Sequence, residues 1–162
     1  MKRALELLQA VVNGVIAGLQ VAFQASLAHI VLVLTNLACV GLGSAIGGTA
    51  RFFVSGLVGR AIGETFPWGT VVVNVTGAFA IGAAAAAGHS AFEVPTSWHF
   101  TVVGVLGTYT TVSSFSLQTL ALARDGELVR AGGNIVVSLV VCLSAVALGF
   151  FFIAEAMGQG VP

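Results

Sequence analysis

Hydrogen-bonding side chains are scarce in this sequence and gathered in a few places. The densest gathering is Gly104-Val-Leu-Gly-Thr-Tyr-Thr-Thr-Val-Ser-Ser-Phe-Ser-Leu-Gln118, where Thr108, Thr110, Thr111, Ser113, Ser114 and Ser116 join Tyr109 inside an apolar segment. Each such group left without a partner in hydrocarbon costs free energy, so the stretch must pack on protein or line a polar path. Asn74 stands alone in Gly69-Thr-Val-Val-Val-Asn-Val-Thr-Gly77. Its amide suits helix-to-helix bonding, and its two N–H donors also suit replacing part of an anion's hydration shell. Asn134, Ser138 and Cys142 recur every fourth residue and share a helix face, which reads either as a packing seam or as a polar track. Arg51 follows the Gly47-Gly48 pair; it either snorkels to a nearby interface or sets a fixed positive charge beside a water-filled vestibule. Phe115 closes the hydroxyl cluster. Its role is packing or, through the partial positive charge of its ring edge, contact with an anion.

Several chemistries are excluded by what these segments lack. A proton-coupled antiporter needs an embedded carboxylate, and no span centre carries Asp or Glu. A membrane hydrolase needs a nucleophile with a base, and His99, at a span edge, has no evident partner; an enzyme is not expected. Cys39 and Cys142 lie in apolar runs and fall into no zinc-like spacing with the histidines. Zero formal net charge offers no basic field for nucleic acid.

The elements that carry these residues must be membrane helices. Only 7% of the chain is charged, against about 25% in ordinary soluble domains. Mean hydropathy is +1.04, so a water-facing surface cannot be kept polar. Four apolar segments, roughly Thr35–Val58, Pro67–Gly88, Thr96–Ala123 and Leu128–Ala156, are each long enough to cross about 30 Å of hydrocarbon. Turns are expected near Gly63, at Glu93-Val94-Pro95 and at Arg124-Asp-Gly-Glu127. Gly41, Gly43, Gly47 and Gly48 let neighbouring helices approach closely.

Residues 1–34 are a separate problem. At about 100° per residue, Lys2, Glu6, Gln9, Asn13, Gln20 and Gln24 fall on one narrow face of an amphipathic helix. Such a helix either lies in the interface or spans with its stripe against protein. If it lies in the interface, Lys2 and Arg3 face one side of the membrane and Arg60, Arg124 and Arg130 the other, a weak bias that lets the chain insert both ways. If it spans, all five share one side and orientation is fixed. The interfacial reading is preferred, giving an N-terminal extension of residues 1–34 and a four-helix core of residues 35–162.

Three motifs together resemble the Fluc (CrcB) family of fluoride channels. They are Gly47-Gly48-Thr-Ala-Arg51, Gly69-Thr-Val-Val-Val-Asn74-Val-Thr-Gly77-Ala-Phe79 and Gly107-Thr-Tyr-Thr-Thr-Val-Ser-Ser-Phe115. The resemblance covers about residues 35 to 156 and implies an all-α membrane protein, four helices per subunit, inserted as an antiparallel dual-topology homodimer in the inner (plasma) membrane. It implies passive fluoride export through two pores, a third helix broken at mid-membrane, and a structural sodium ion at the dimer interface held by the backbone carbonyls of Gly107 and Thr110. Asn74 matches the family's pore asparagine, Arg51 its vestibule arginine, and Phe115 the second phenylalanine of its Thr-Thr-Phe-Ser-Thr-Phe run. Thr111 and Ser113 are expected to face fluoride with them. Asn134, Ser138 and Cys142 occupy the track on the fourth helix, where Asn134 and Cys142 replace the usual tyrosine and serine. Val112 stands where the first phenylalanine is expected, so one aromatic edge is missing from each pore. Competing readings are a small-multidrug-resistance-like antiporter, which lacks its embedded glutamate here, and a non-transporting scaffold.

Overall fold

The structure, a computed structural model, describes residues 2–63, 65–88 and 95–158. All its regular elements are helical: α1 (Lys2–Ile62), α2 (Trp68–Gly88), α3 (residues 96–109), α4 (Val112–Arg124) and α5 (Leu128–Ala156). The chain divides into two compact units, Met1–Ala38 and Cys39–Pro162. No proline occurs before Pro67, and helix α1 meets no strong breaker between its ends. Four stretches are long and apolar enough to cross a membrane: Val12–Ile62, Trp68–Gly88, Thr96–Arg124 and Leu128–Ala156. The chain is a multi-pass membrane protein.

In the N-terminal unit the side chains of Val15, Leu19, Val21, Phe23 and Val31 are all exposed. Its hydroxyls turn inward along the helix: Ser26 Oγ donates to the Ala22 carbonyl at 2.9 Å and Thr35 Oγ1 to the Val31 carbonyl at 2.8 Å. Both bonds satisfy the hydroxyl without a neighbouring helix.

In the second unit the turns fall where glycine permits a left-handed backbone. Gly63 (φ 96°) ends α1, and Gly126 (φ 80°) lets Glu127 N bond back to the Leu122 carbonyl at 2.9 Å. Pro95, extended at φ −69° and ψ 156°, opens α3; the expected turn residues Glu93 and Val94 lie outside the described residues. Close helix approach is carried by glycine. A Cβ on Gly43 would strike the Phe100 carbonyl and stand 3.0 Å from Gly104 Cα. Between α2 and α5 the fit is reciprocal: a methyl on Gly82 would collide with the Val146 carbonyl, and one on Gly149 with the Phe79 carbonyl. The buried surface between these helices is accordingly small-residue and tight, with Val73, Ala78, Ala86, Ala145 and Ala154 nearly sealed.

Helix α3 is irregular. From His99 to Leu106 it widens to a π-helix, and α-helical winding resumes only for Gly107–Tyr109. Thr110 (φ −74°, ψ 156°) and Thr111 (φ −150°, ψ 127°) are then fully extended before α4 begins at Val112. Two residues inside one apolar stretch have left helical geometry.

Candidate functional site

A backbone that leaves the helix in an apolar setting must find new hydrogen-bond partners. Here Asn74 of α2 supplies them. Its Nδ2 donates to the Thr111 carbonyl at 2.9 Å, and its Oδ1 accepts from Thr111 N at 2.8 Å. The amide thus replaces the bond that Thr111 N has lost, adds a second donor to a carbonyl that already opens α4, and leaves one N–H uncommitted. Thr111, only 7% exposed, caps α4 by accepting from Ser114 N at 3.2 Å. Its hydroxyl also lies 3.1 Å from Ser113 Oγ.

Those substitutions divert the helical donors of two carbonyls, one just before the break and one in it. In an unbroken helix Thr111 N would serve the Gly107 carbonyl and Ser114 N the Thr110 carbonyl. Both amides are instead given to side chains, Asn74 Oδ1 and Thr111 Oγ1. On the other flank, Gly77 of α2 makes room for the break: a Cβ there would collide with the Thr110 methyl and approach the Tyr109 ring to 3.2 Å. Tyr109 OH meets Thr76 Oγ1 at 2.9 Å, and Thr76 already donates to the Val72 carbonyl at 2.8 Å, so the phenol is the donor. Thr108 Oγ1 bonds to the Gly104 carbonyl at 2.6 Å.

A second polar group joins α5 to α4. Asn134, 1% exposed, donates from Nδ2 to Thr119 Oγ1 at 2.8 Å, and Thr119 donates to the Phe115 carbonyl at 2.7 Å. Ser138 Oγ reaches Asn134 Oδ1 at 3.5 Å, the outer limit of such a bond. Cys142, next on the same face, is half-buried and a free thiol, and has no hydrogen bond among the described residues.

The structure therefore brings Asn74, Thr111 and Ser113 together, and separately Asn134, Ser138 and Phe115. Phe115 is half-buried, whereas Val112, on the first turn of α4, is 77% exposed. Beside α4 opens a cavity of about 810 Å³ whose polar lining includes Arg60, Thr70, Ser114, Gln118 and Asp125. Arg60 is its cation; Arg51 is half-buried and does not line it. Gln118 Oε1 is buried without a partner. The sequence did not assign Thr119, Gln118 or Arg60 to the site. Thr119 is signalled only by standing four residues after Phe115, the spacing at which a hydroxyl bonds back to a carbonyl.

This arrangement bonds and positions polar groups but places no nucleophile beside a base, and among the described residues no cluster of three or more His, Cys, Asp or Glu could hold a metal. The family described as CrcB-like protein, camphor resistance (CrcB), matches residues 38–150. This protein belongs to the CrcB family. That match contains Asn74, the Thr110–Thr111 break, Phe115 and the Asn134–Ser138–Cys142 face, while residues 1–37 fall outside it. Among CrcB relatives, the fluoride-specific ion channel FluC 2 of Rhodopseudomonas palustris (strain BisB18) is 64% identical over 121 residues, covering 73% of this chain and 92% of its own. A FluC 2 of Bradyrhizobium diazoefficiens is 54% identical over 130 residues, 78% of this chain and 94% of the relative. The FluC of Opitutus terrae is 58% identical over 113 residues, 68% and 86% of the two chains. CrcB proteins with that name are channels, not enzymes.

Proposed function

We propose that this protein is a fluoride-selective channel that lets fluoride leave the cell passively and so lowers cytoplasmic fluoride. The observation that carries the reading is the Thr110–Thr111 break clamped by Asn74, in a chain of the CrcB family. Fluoride is small and strongly hydrated, so a selective path must replace its water with donors at close range. Asn74 retains one N–H after clamping Thr111, and Ser113 offers a hydroxyl beside it. Thr111, Ser138 and Cys142 line the path beside them, Asn134 gives its remaining N–H, and the ring edge of Phe115 contributes positive potential without a formal charge. Arg51 raises the local anion concentration at the vestibule. Val112 supplies no ring edge, so the aromatic contribution rests on Phe115.

The break belongs at mid-membrane, where two antiparallel copies meet in a dual-topology homodimer. The carbonyls of Gly107 and Thr110, whose helical donors are diverted, form an all-oxygen ligand set of the kind a hard cation takes. A sodium ion held there supplies structural charge between the two breaks. Residues 1–34 lie along the interface of the inner (plasma) membrane, which keeps the charge bias weak enough for insertion in both senses. Labelling of a cysteine placed at position 3 checks this: reaction only on the side of Arg60 means that the N-terminal helix spans.

Purified protein in liposomes tests the function. Fluoride efflux that excludes chloride supports the channel. Proton-dependent cation uptake instead identifies an antiporter, and absence of any flux a scaffold.

A further inference from the structure

We infer that Thr119 is a positioning residue for the fluoride path, holding Phe115 in place through a one-way hydrogen-bond chain that starts on α5. The inference rests on the channel reading above. A threonine hydroxyl has one proton and two lone pairs. At 2.7 Å from the Phe115 carbonyl, the Thr119 proton is committed there. Thr119 Oγ1 can then only accept from Asn134, which fixes Nδ2 as the atom facing it at 2.8 Å and leaves Oδ1 turned to Ser138. The chain runs in one direction: Ser138 O–H to Asn134, Asn134 N–H to Thr119, Thr119 O–H to the Phe115 carbonyl. Bonds in such a series polarise one another.

Back-bonding alone is common, and Ser26 and Thr35 do it with no second partner. Thr119 differs because a donor from another helix, 1% exposed, depends on it. Phe115 is itself only half-buried, so packing does not enclose it fully. Its backbone is held instead by a side chain one turn later, and that side chain by α5. The rotation of α4 about its axis, and with it the direction of the Phe115 ring, is therefore set from Asn134. Asn134 also acts differently from a free pore donor: one N–H anchors α4 and only the other faces the path.

The test is flux in proteoliposomes, read as both fluoride rate and the fluoride-to-chloride ratio. Thr119→Val keeps shape and removes both bonds; it is expected to lower the ratio at least tenfold, while Thr119→Ser restores the wild-type ratio. On a Phe115→Ala background, Thr119→Val should change the ratio by less than twofold, because Thr119 acts through that residue. Should Thr119→Val fail to fold with the Asn134 donor stranded, the pair Asn134→Val with Thr119→Val removes both polar groups and should show the same lowered ratio. A folded Thr119→Val protein, or folded pair, with lower yield or rate but unchanged ratio overturns the inference, as does a full tenfold effect on the Phe115→Ala background. A wild-type protein that carries no fluoride overturns the channel reading itself.

Discussion

Asn74 and Asn134 are the same residue type placed against the same helix, and they do different work. Asn74 grips backbone: it takes both the N–H and the carbonyl of Thr111, the residue where helical geometry fails. Asn134 grips a side chain, Thr119, which in turn holds a carbonyl already inside a regular helix. The first supplies the Thr111 N–H with a partner that nothing else offers; the second adds a bond to a hydroxyl that already has one. In a medium without water, that difference decides how much each is worth.

Substitutions sharpen the contrast. The largest effect is expected from Asn74→Ala, which strands the buried Thr111 N–H and removes a second donor from the Thr111 carbonyl; at about 1–3 kcal/mol for an unsatisfied buried group, up to about 3 kcal/mol of stability is lost. Thermal unfolding in detergent measures the stability, and fluoride flux should fall by about tenfold, since the path loses the free Asn74 donor, a loss of about 1.4 kcal/mol. Gly77→Ala comes next. Its methyl must displace Thr110, and overpacking of this kind costs about 1–3 kcal/mol. It should mimic Asn74→Ala in flux while leaving the Asn134 group intact.

Asn134→Ala should cost less, about 1 kcal/mol, because Thr119 keeps its bond to Phe115 and interhelical bonds in membranes average only about 0.6 kcal/mol. A loss equal to that of Asn74→Ala would erase the distinction between the two asparagines. The smallest change in stability is expected from Val112→Phe, within about 0.5 kcal/mol, since the side chain is 77% exposed. Its readout is function: adding a ring edge next to Thr111 should raise fluoride flux relative to Val112.

Much of this was legible in the residues. The crowd of hydroxyls from Thr108 to Ser116 marked a stretch that must bond to protein or line a polar path, the broken helix came only with the family resemblance, and Gly63 and Gly126 marked two turns that the structure has. The first crossing runs on to Ile62, four residues beyond the expected Val58, because nothing before Gly63 interrupts helical winding. The rest was hidden for a physical reason. The partner of Asn74 is main chain, and a backbone amide carries no residue-type signature. The pairing of Thr119 with Asn134 joins two helices across a turn, and neither spacing nor hydropathy specifies which faces meet. The cation of the large cavity is Arg60, a residue at the helix end that composition reads only as an interface charge.

The π-helical run from His99 to Leu106 carries a consequence for how this chain can change length. Wide turns hold more residues per revolution than an α-helix, so the run stores surplus winding just before the break. Removing one residue there would let the run relax towards ordinary winding, so most of the loss would be taken up locally instead of being passed downstream. Thr111 would then stay close to Asn74. Single-residue deletions are therefore expected to be better tolerated between His99 and Leu106 than in the regular winding of α4, where each lost residue turns everything downstream by about 100°, which makes this stretch the slack that keeps two helices in phase.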